Sequence, residues 1–190
     1  ESPILPGIVF ILVILFVSFI GFYTYKFAIS DFAFAESFKQ ARQNNAQRSY
    51  QLQSQAISDF PQRADYHRVF SQVNLSLANS LSQSVQPGSS PSGETRQNIT
   101  TLLQQGINSA RNAVILAPLA SINWQNLAQI YRSLINVGKD AENFAISSMN
   151  RAITLDPYNP QLYIQLGGIY YQLKRFDLAQ NQFMTKTLKS

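Results

Sequence analysis

The 190-residue sequence contains no cysteine, and this absence removes three classes of function. A disulfide-stabilised scaffold, a zinc site built on thiolates and a cysteine nucleophile all need that side chain. The single histidine, His67, has no pattern of His, Cys or carboxylate partners around it. We therefore expect a solvated histidine at this position rather than a metal ligand, and we expect no cofactor.

Charged residues are few as well, at 13% of the chain with a net charge of +5. All 15 Lys and Arg residues lie from Lys26 onward and are scattered along the sequence. Nucleic-acid-binding proteins usually cluster such residues on one face, so we expect no nucleic-acid partner. No glycine-rich phosphate loop, Gly-x-Ser-x-Gly motif or His-Glu-x-x-His motif occurs. Because these catalytic patterns are missing, we expect no enzymatic activity.

One stretch, Ile8–Phe22, is almost wholly apolar and carries no charge. The wider segment Ile4–Tyr25 would cross a bilayer core of roughly 30 Å as a helix. Tyr23, Tyr25 and Lys26 lie at the end of this segment, as is typical of the interface between hydrocarbon and water. A secretory signal peptide would need a basic start and a shorter apolar run. Residues 1–26 are therefore predicted to form a hydrophobic helix, set either in a membrane or in the core of a filament.

The helix can extend beyond this segment, since no proline lies between Ile8 and Gln55 and Gly21 is the only glycine there. The pair Asn44-Asn45 is the most favourable place for a turn. We expect two helices separated at that pair. The alternative is one helix of about 48 residues, which would be roughly 70 Å long.

The C-terminal part of the sequence contains an internal repeat. After Pro160, large, Leu-Gly, aromatic, alanine and aromatic residues occur in turn, at Tyr163, Leu166, Gly167, Tyr170, Ala179 and Phe183. This spacing resembles the tetratricopeptide repeat (TPR), a pair of antiparallel helices. Lys186 stands where that family has alanine, and the sequence ends before the family's closing proline, so the last repeat is predicted to be truncated.

The preceding segment matches the same pattern with Trp124, Leu127, Tyr131, Ala145, Ala152 and Pro157. Its two halves are five residues too far apart, which an expanded turn at 136–139 would accommodate. Further back, the intervals Ala113 to Pro118 and Ala56 to Pro61 repeat that of Ala152 to Pro157. Repeat-like units are therefore predicted to end near residues 61, 118 and 157.

The resemblance implies an all-α fold: the hydrophobic helix followed by a right-handed TPR-like solenoid of three to four helix pairs. We predict divergent TPR-like helices over 27–118, with a Ser/Pro/Gly-rich surface insertion at 84–94. Two TPR-like repeats would follow over 119–190. The residues that define the pattern are expected in the core, together with Phe176: Trp124, Leu127, Tyr131, Ala145, Ala152, Tyr163, Leu166, Gly167, Tyr170, Ala179 and Phe183.

In the TPR family the first helix of each pair lines the binding groove. Transferring those positions gives a largely uncharged candidate groove made of Arg68, Gln72, Gln125, Gln129, Arg132, Ile164 and Tyr171, with Asp65 and Gln161 beside them. The alternative is that these are ordinary solvated helix faces. The resemblance implies proteins or peptides as partners.

Three functional hypotheses remain at the level of sequence. The first is a membrane-anchored, non-enzymatic scaffold for protein–protein interaction. The second is a structural subunit of a type IV-pilin-like filament, a homopolymer whose core is built by self-association of residues 4–25. The third is the C-terminal tail of a longer multi-pass membrane protein. Each hypothesis implies a location at a membrane or cell surface. The low charge, the Ser-rich loop and the lack of cysteine slightly favour an extracytoplasmic C-terminal domain, whereas Lys26, Lys39 and Arg42 favour a cytoplasmic one.

Overall fold

The computed structural model describes residues 4–85 and 90–189, and over these ranges its regular secondary structure is entirely α-helical. The predicted all-α class is confirmed. The chain divides into two compact units, Glu1–Pro61 and Gln62–Ser190. Eight helices occur in the described ranges: α1 Ile4–Arg42, α2 Ala46–Asp59, α3 Ala64–Gln83, α4 Gly93–Leu116, α5 Ser121–Ser133, α6 Ala141–Leu155, α7 Pro160–Gln172 and α8 Phe176–Lys189.

The first unit is a hairpin of α1 and α2, and its turn lies at the predicted asparagine pair. Asn44 adopts a left-handed conformation with φ 58°, which asparagine tolerates better than most residues. The side chain of Asn45 then accepts a hydrogen bond from the Arg48 N–H and caps α2. The prediction of two helices is confirmed, and the alternative of one long helix is wrong.

The two helices of the hairpin meet through small and polar side chains. The Gln53 side-chain amide donates to Ser37 Oγ at 3.3 Å inside this contact. Small side chains allow the helix backbones to approach closely, so the hairpin has a narrow interface. Its buried members are Ser30, Ala33 and Ser37 on α1, with Ser49, Leu52, Gln53 and Ala56 on α2.

The N-terminal half of α1 lies outside this contact. Its large apolar side chains over Ile8–Phe22 are 46–66% exposed. Within the described residues, α1 is the helix long and apolar enough to cross a membrane. So large an uncovered apolar surface is unfavourable in water and calls for an apolar environment around it.

Three turns between helix pairs share one backbone conformation. Phe60, Ala117 and Asp156 each precede a proline and have φ between −144° and −140° and ψ between 71° and 80°. Each donates its N–H to the carbonyl of an alanine four residues earlier, namely Ala56, Ala113 and Ala152, all completely buried. The residue before proline disfavours the helical region, which ends each helix at the same point. These three helices end close to residues 61, 118 and 157, where the alanine–proline spacing predicts unit ends.

The second unit contains three helix pairs, α3–α4, α5–α6 and α7–α8. Successive pairs also pack on one another, α4 on α5 and α6 on α7, which is the arrangement of a stacked solenoid. The expanded turn predicted at 136–139 lies between α5 and α6, with Asn136 at φ 76°.

Most residues of the predicted repeat pattern are in the core. The Tyr163 hydroxyl donates to the carbonyl of Pro157 at 3.0 Å, so this exposed proline also anchors the turn. The buried members are Leu127, Tyr131, Ala145, Ala152, Tyr163, Leu166, Gly167 and Ala179, with Trp124 and Tyr170 half-buried against them.

Two aromatic residues of α8 do not have the predicted core positions. Phe176 is 56% exposed. Its ring contacts the ring of Tyr171 edge to face, with the two centroids 5.4 Å apart. Phe183 is 41% exposed although its ring covers Gly167. No described helix packs on the far side of α8, so its aromatic side chains are buried from one side alone.

Two further predictions need correction. His67 is 6% exposed and belongs to the buried side of α3, so it is not the solvated histidine expected. The surface insertion is shorter than 84–94, because Gly93 and Glu94 already belong to α4. The Ser92 side chain accepts from the Thr95 N–H at 3.1 Å and begins that helix. Residues 86–89 of the insertion lie outside the described residues.

Candidate functional site

An open cleft of about 320 Å³ lies between α3 and α5, the first helices of two neighbouring pairs. Three of the predicted groove residues line it: Gln72 on α3, and Gln125 and Gln129 on α5. The rest of the lining was not predicted from the sequence. It consists of Leu75, Ser76, Asn79, Ile122, Asn126 and Ile130.

A hydrogen-bonded network holds the two walls of the cleft together. The Gln72 amide donates to Asn126 Oδ1 at 2.9 Å. The Asn126 amide in turn donates to Ser71 Oγ at 2.8 Å, and both of these residues are buried. Because a buried amide without partners costs about 1–3 kcal/mol, this network fixes how α5 sits against α3.

A second group of amides connects α5 to α7. Gln125 and Gln129 both donate to the same acceptor, Gln165 Oε1, at 3.0 and 2.9 Å. These two glutamines are one turn apart on α5, so their side chains reach a single point on the neighbouring helix. The first helices of all three pairs in this unit are thus linked by side-chain amides. We call Gln72, Asn126, Gln125, Gln129 and Gln165 the amide ladder.

The two arginines predicted in the groove do not line the cleft. Arg68 pairs with Asp65 on the same helix, at 2.9 Å between Nη2 and Oδ1. Arg132 donates from Nε to Gln172 Oε1 at 3.1 Å, and its guanidinium lies over Gly168. Their positive charge is directed to these partners on α3 and α7.

The α7 residues predicted for the groove also lie apart from the cleft. Ile164 is half-buried, Gln161 is exposed, and Tyr171 is exposed next to Phe176. The structure therefore brings together the glutamines of the predicted set and separates them from its arginines and α7 residues. Asn126 and Gln165 lie next to, or one turn from, predicted residues, and the repetition of Asn and Gln on α5 and α7 is the signal that points to them.

The chemistry of the cleft is uncharged and capable of both donating and accepting hydrogen bonds. None of its nine lining residues is ionisable. Each Gln or Asn amide offers two N–H donors and one carbonyl acceptor, which matches the N–H and C=O groups of a peptide backbone. Leu75, Ile122 and Ile130 supply apolar surface beside them. In the described residues no group of three or more His, Cys, Asp or Glu could hold a metal ion.

Comparisons with solved structures identify the fold. The chain is similar to TTC0263, a thermophilic TPR protein in Thermus thermophilus, with a TM-score of 0.64 and 15% identity over 83% of this chain and 72% of that one. It is also similar to the RS-1 MamA ArsTM double mutant, with a TM-score of 0.61 and 13% identity over 84% and 74%. MSR-1 MamA gives a TM-score of 0.60 and 12% identity over 84% and 76%.

No family model matches the chain, and no curated protein sequence matches it. At 12–15% identity, the structural likeness shows the fold alone. That fold is a TPR-like helical solenoid, as predicted from the repeat pattern.

Proposed function

We propose that this protein is a non-enzymatic scaffold, attached to a membrane by the apolar half of α1, whose cleft between α3 and α5 binds an uncharged segment of a partner protein. The observation that carries the proposal is the chemistry of the cleft. It lies on the first helices of TPR-like pairs and is lined by amides and aliphatic side chains without an ionisable group. Such a surface favours an extended backbone with neutral side chains over an acidic or basic peptide.

The attachment rests on a separate observation. The side chains over Ile8–Phe22 are exposed around the whole circumference of the helix, and none carries a charge. Burying this surface in hydrocarbon removes it from water at no cost in unsatisfied backbone groups, because a helix bonds its own backbone. A bilayer therefore supplies the environment that this half of α1 needs.

Selection from a random peptide library on the immobilised protein tests the cleft. We expect the selected peptides to be uncharged. Their binding should be lost in Asn79→Trp, because an indole fills the cleft, and retained in Asn143→Trp. Asn79 and Asn143 are both exposed helical asparagines, but Asn143 is on α6, outside the cleft. Calorimetry would measure both affinities, and thermal melts would establish that both variants are folded.

Ionic strength supplies a second measurement. Salt at 0.1 M largely screens charge–charge attraction over distances greater than about 10 Å, so binding to an uncharged cleft should change little between low and high salt. Acidic or basic consensus peptides with strongly salt-dependent affinity would contradict the proposal. Unchanged affinity in Asn79→Trp would place the binding site elsewhere.

A second candidate function is a structural subunit of a filament resembling type IV pili. The observation in its favour is that α1 is one uninterrupted helix, apolar in its first half and packed on α2 in its second. Apolar halves of neighbouring copies would then bury one another in a filament core. Electron microscopy of native material tests it directly, since a filament is a visible polymer and an anchored scaffold is not.

A further inference from the structure

The end of the α1–α2 hairpin opposite its turn, which we call the open end, is where Lys26 and Asp59 meet. It lies at the level where the apolar half of α1 ends. Lys26, the first charged residue after the apolar segment, forms an ion pair with Asp59, at 3.0 Å between Nζ and Oδ1. One residue further along each helix, the rings of Phe27 and Phe60 meet edge to face, with centroids 5.6 Å apart. The end of α2 is therefore fixed beside the start of the polar half of α1.

This level has a defined relation to a bilayer. A helix over Ile4–Tyr25 measures about 33 Å, close to the roughly 30 Å of hydrocarbon. Lys26 then emerges among the headgroups, a layer about 6 Å thick on each side. Since Asp59 and Phe60 are in contact with Lys26 and Phe27, they enter the same layer. The end of α1 at Arg42, where the turn begins, is about 24 Å further along the helix.

The side chains at this level match a lipid surface. Tyr25, the residue before Lys26, is 62% exposed on α1. Aromatic rings are favoured where hydrocarbon meets headgroups. The ion pair joins opposite charges, so no net charge has to be desolvated as it approaches the low-dielectric region.

We propose that the open end of this hairpin rests in the headgroup layer of the bilayer, so that the last turn of α2 and the Phe60–Pro61 segment contact phospholipid. This inference rests on the proposed membrane attachment and adds a second lipid contact, well separated along the chain from the emergence of α1 at Lys26. The chain returns to the bilayer at Pro61, and the second unit begins at the next residue.

Single nitroxide labels on the full chain, in phosphatidylcholine vesicles with a minority of phosphatidylglycerol, test the proposal. The absence of cysteine makes every introduced thiol unique. Ser58→Cys, Ser54→Cys and Gln47→Cys place labels at exposed positions along α2, and Leu15→Cys places one in the apolar half of α1. Relative collision rates with oxygen and with a water-soluble nickel chelate report the depth of each label.

We expect the Leu15 label in hydrocarbon, the Ser58 label at the headgroups and the Gln47 label in water. The Ser54 label should lie between the last two, and Ser58 and Gln47 should differ in depth by about 16 Å. Equal exposure of Ser58 and Gln47 to the nickel chelate, with Leu15 in lipid, would overturn the hairpin contact and leave the attachment standing. Spin–spin broadening between Leu15 labels of different copies, without exposure of these labels to lipid, would overturn both the hairpin contact and the membrane attachment. It would indicate self-association of α1.

Discussion

Gly167 and Gly168 are neighbours in α7, but a methyl group at each would meet different surroundings. A Cβ at Gly167 would overlap the Phe183 ring, lying 2.9 Å from both Cδ1 and Cζ. A Cβ at Gly168 would lie 3.3 Å from Nη2 of Arg132, the end of a long and movable side chain. Alanine substitutions at these two positions therefore distinguish the effect of helix propensity from the effect of packing against Phe183.

We expect Gly168→Ala to raise the free energy of unfolding by up to about 1 kcal/mol, the gain of alanine over glycine in a helix. Gly167→Ala should lower it by about 1–2 kcal/mol, because displacing the Phe183 ring outweighs that gain. Chemical denaturation measures both. In a Phe183→Ala background, Gly167→Ala should become stabilising by about 1 kcal/mol. Destabilisation that persists in that background would contradict the assigned contact.

At the residue scale, spacing predicted small buried positions more accurately than aromatic ones. Alanines such as Ala145 and Ala152 are buried because only a small side chain fits between close helices. Phe176 was also expected in the core but is exposed, because burial of a ring depends on a neighbouring helix on its far side. Asn126 could not be inferred from hydropathy either, since its burial depends on Ser71 and Gln72 across the interface.

At the scale of elements, the start of α4 shows where the α3–α4 connection ends and the helix begins. The described part of the α3–α4 connection follows Gln83, and Ser92 begins the next helix as its cap. The Ser/Pro/Gly composition predicts an insertion over 84–94, and residues 86–89 of it lie outside the described residues. Its end was placed two residues too late because glycine and glutamate at the first helical turn resemble loop composition.

Replacing residues 85–91 with Gly-Ser-Gly should change the free energy of unfolding by less than about 1 kcal/mol, because loop closure depends only weakly on length. Ser92→Ala, in the intact loop, should cost about 1 kcal/mol by removing the cap of α4. Urea denaturation followed by circular dichroism measures both. A larger loss from the shortened loop than from Ser92→Ala would show that the insertion contributes packing of its own.

At the scale of the whole molecule, the apolar half of α1 decides between the two candidate functions. Val13→Trp adds bulk that lipid accommodates and an interlocked helix bundle does not. For an anchored scaffold, we expect the variant to fractionate with membranes as the parent does, and neither to form filaments. Filaments of the parent chain that disappear in the variant, with membrane targeting retained, would favour the filament subunit instead. Membrane flotation and electron microscopy are the measurements.

The sequence predicted the order of the helix pairs because proline and alanine recur at fixed intervals. Ala56, Ala113 and Ala152 lie in the last turns of α2, α4 and α6, and each accepts the hydrogen bond that closes its helix. The cleft was predicted in part: glutamines were assigned by family position, but the separation of Arg132 from them depends on its bond to Gln172. Hydrogen bonds between side chains of different helices, such as this one, produce no periodic pattern in the sequence of either helix.

The adjacency of Lys26 and Asp59 has a mechanical consequence. If α1 is held along its apolar half and a load acts on the chain at Gln62, the points of attachment lie side by side at one end of the hairpin. Such a load peels α2 away from α1 instead of shearing the two helices along their length. We expect the load to reach the Phe27–Phe60 ring contact and the Lys26–Asp59 ion pair first, and then to open the narrow serine-lined contact turn by turn toward Asn44. We expect the hairpin to open under a smaller force than sheared helices would withstand, because its contacts break one after another instead of together.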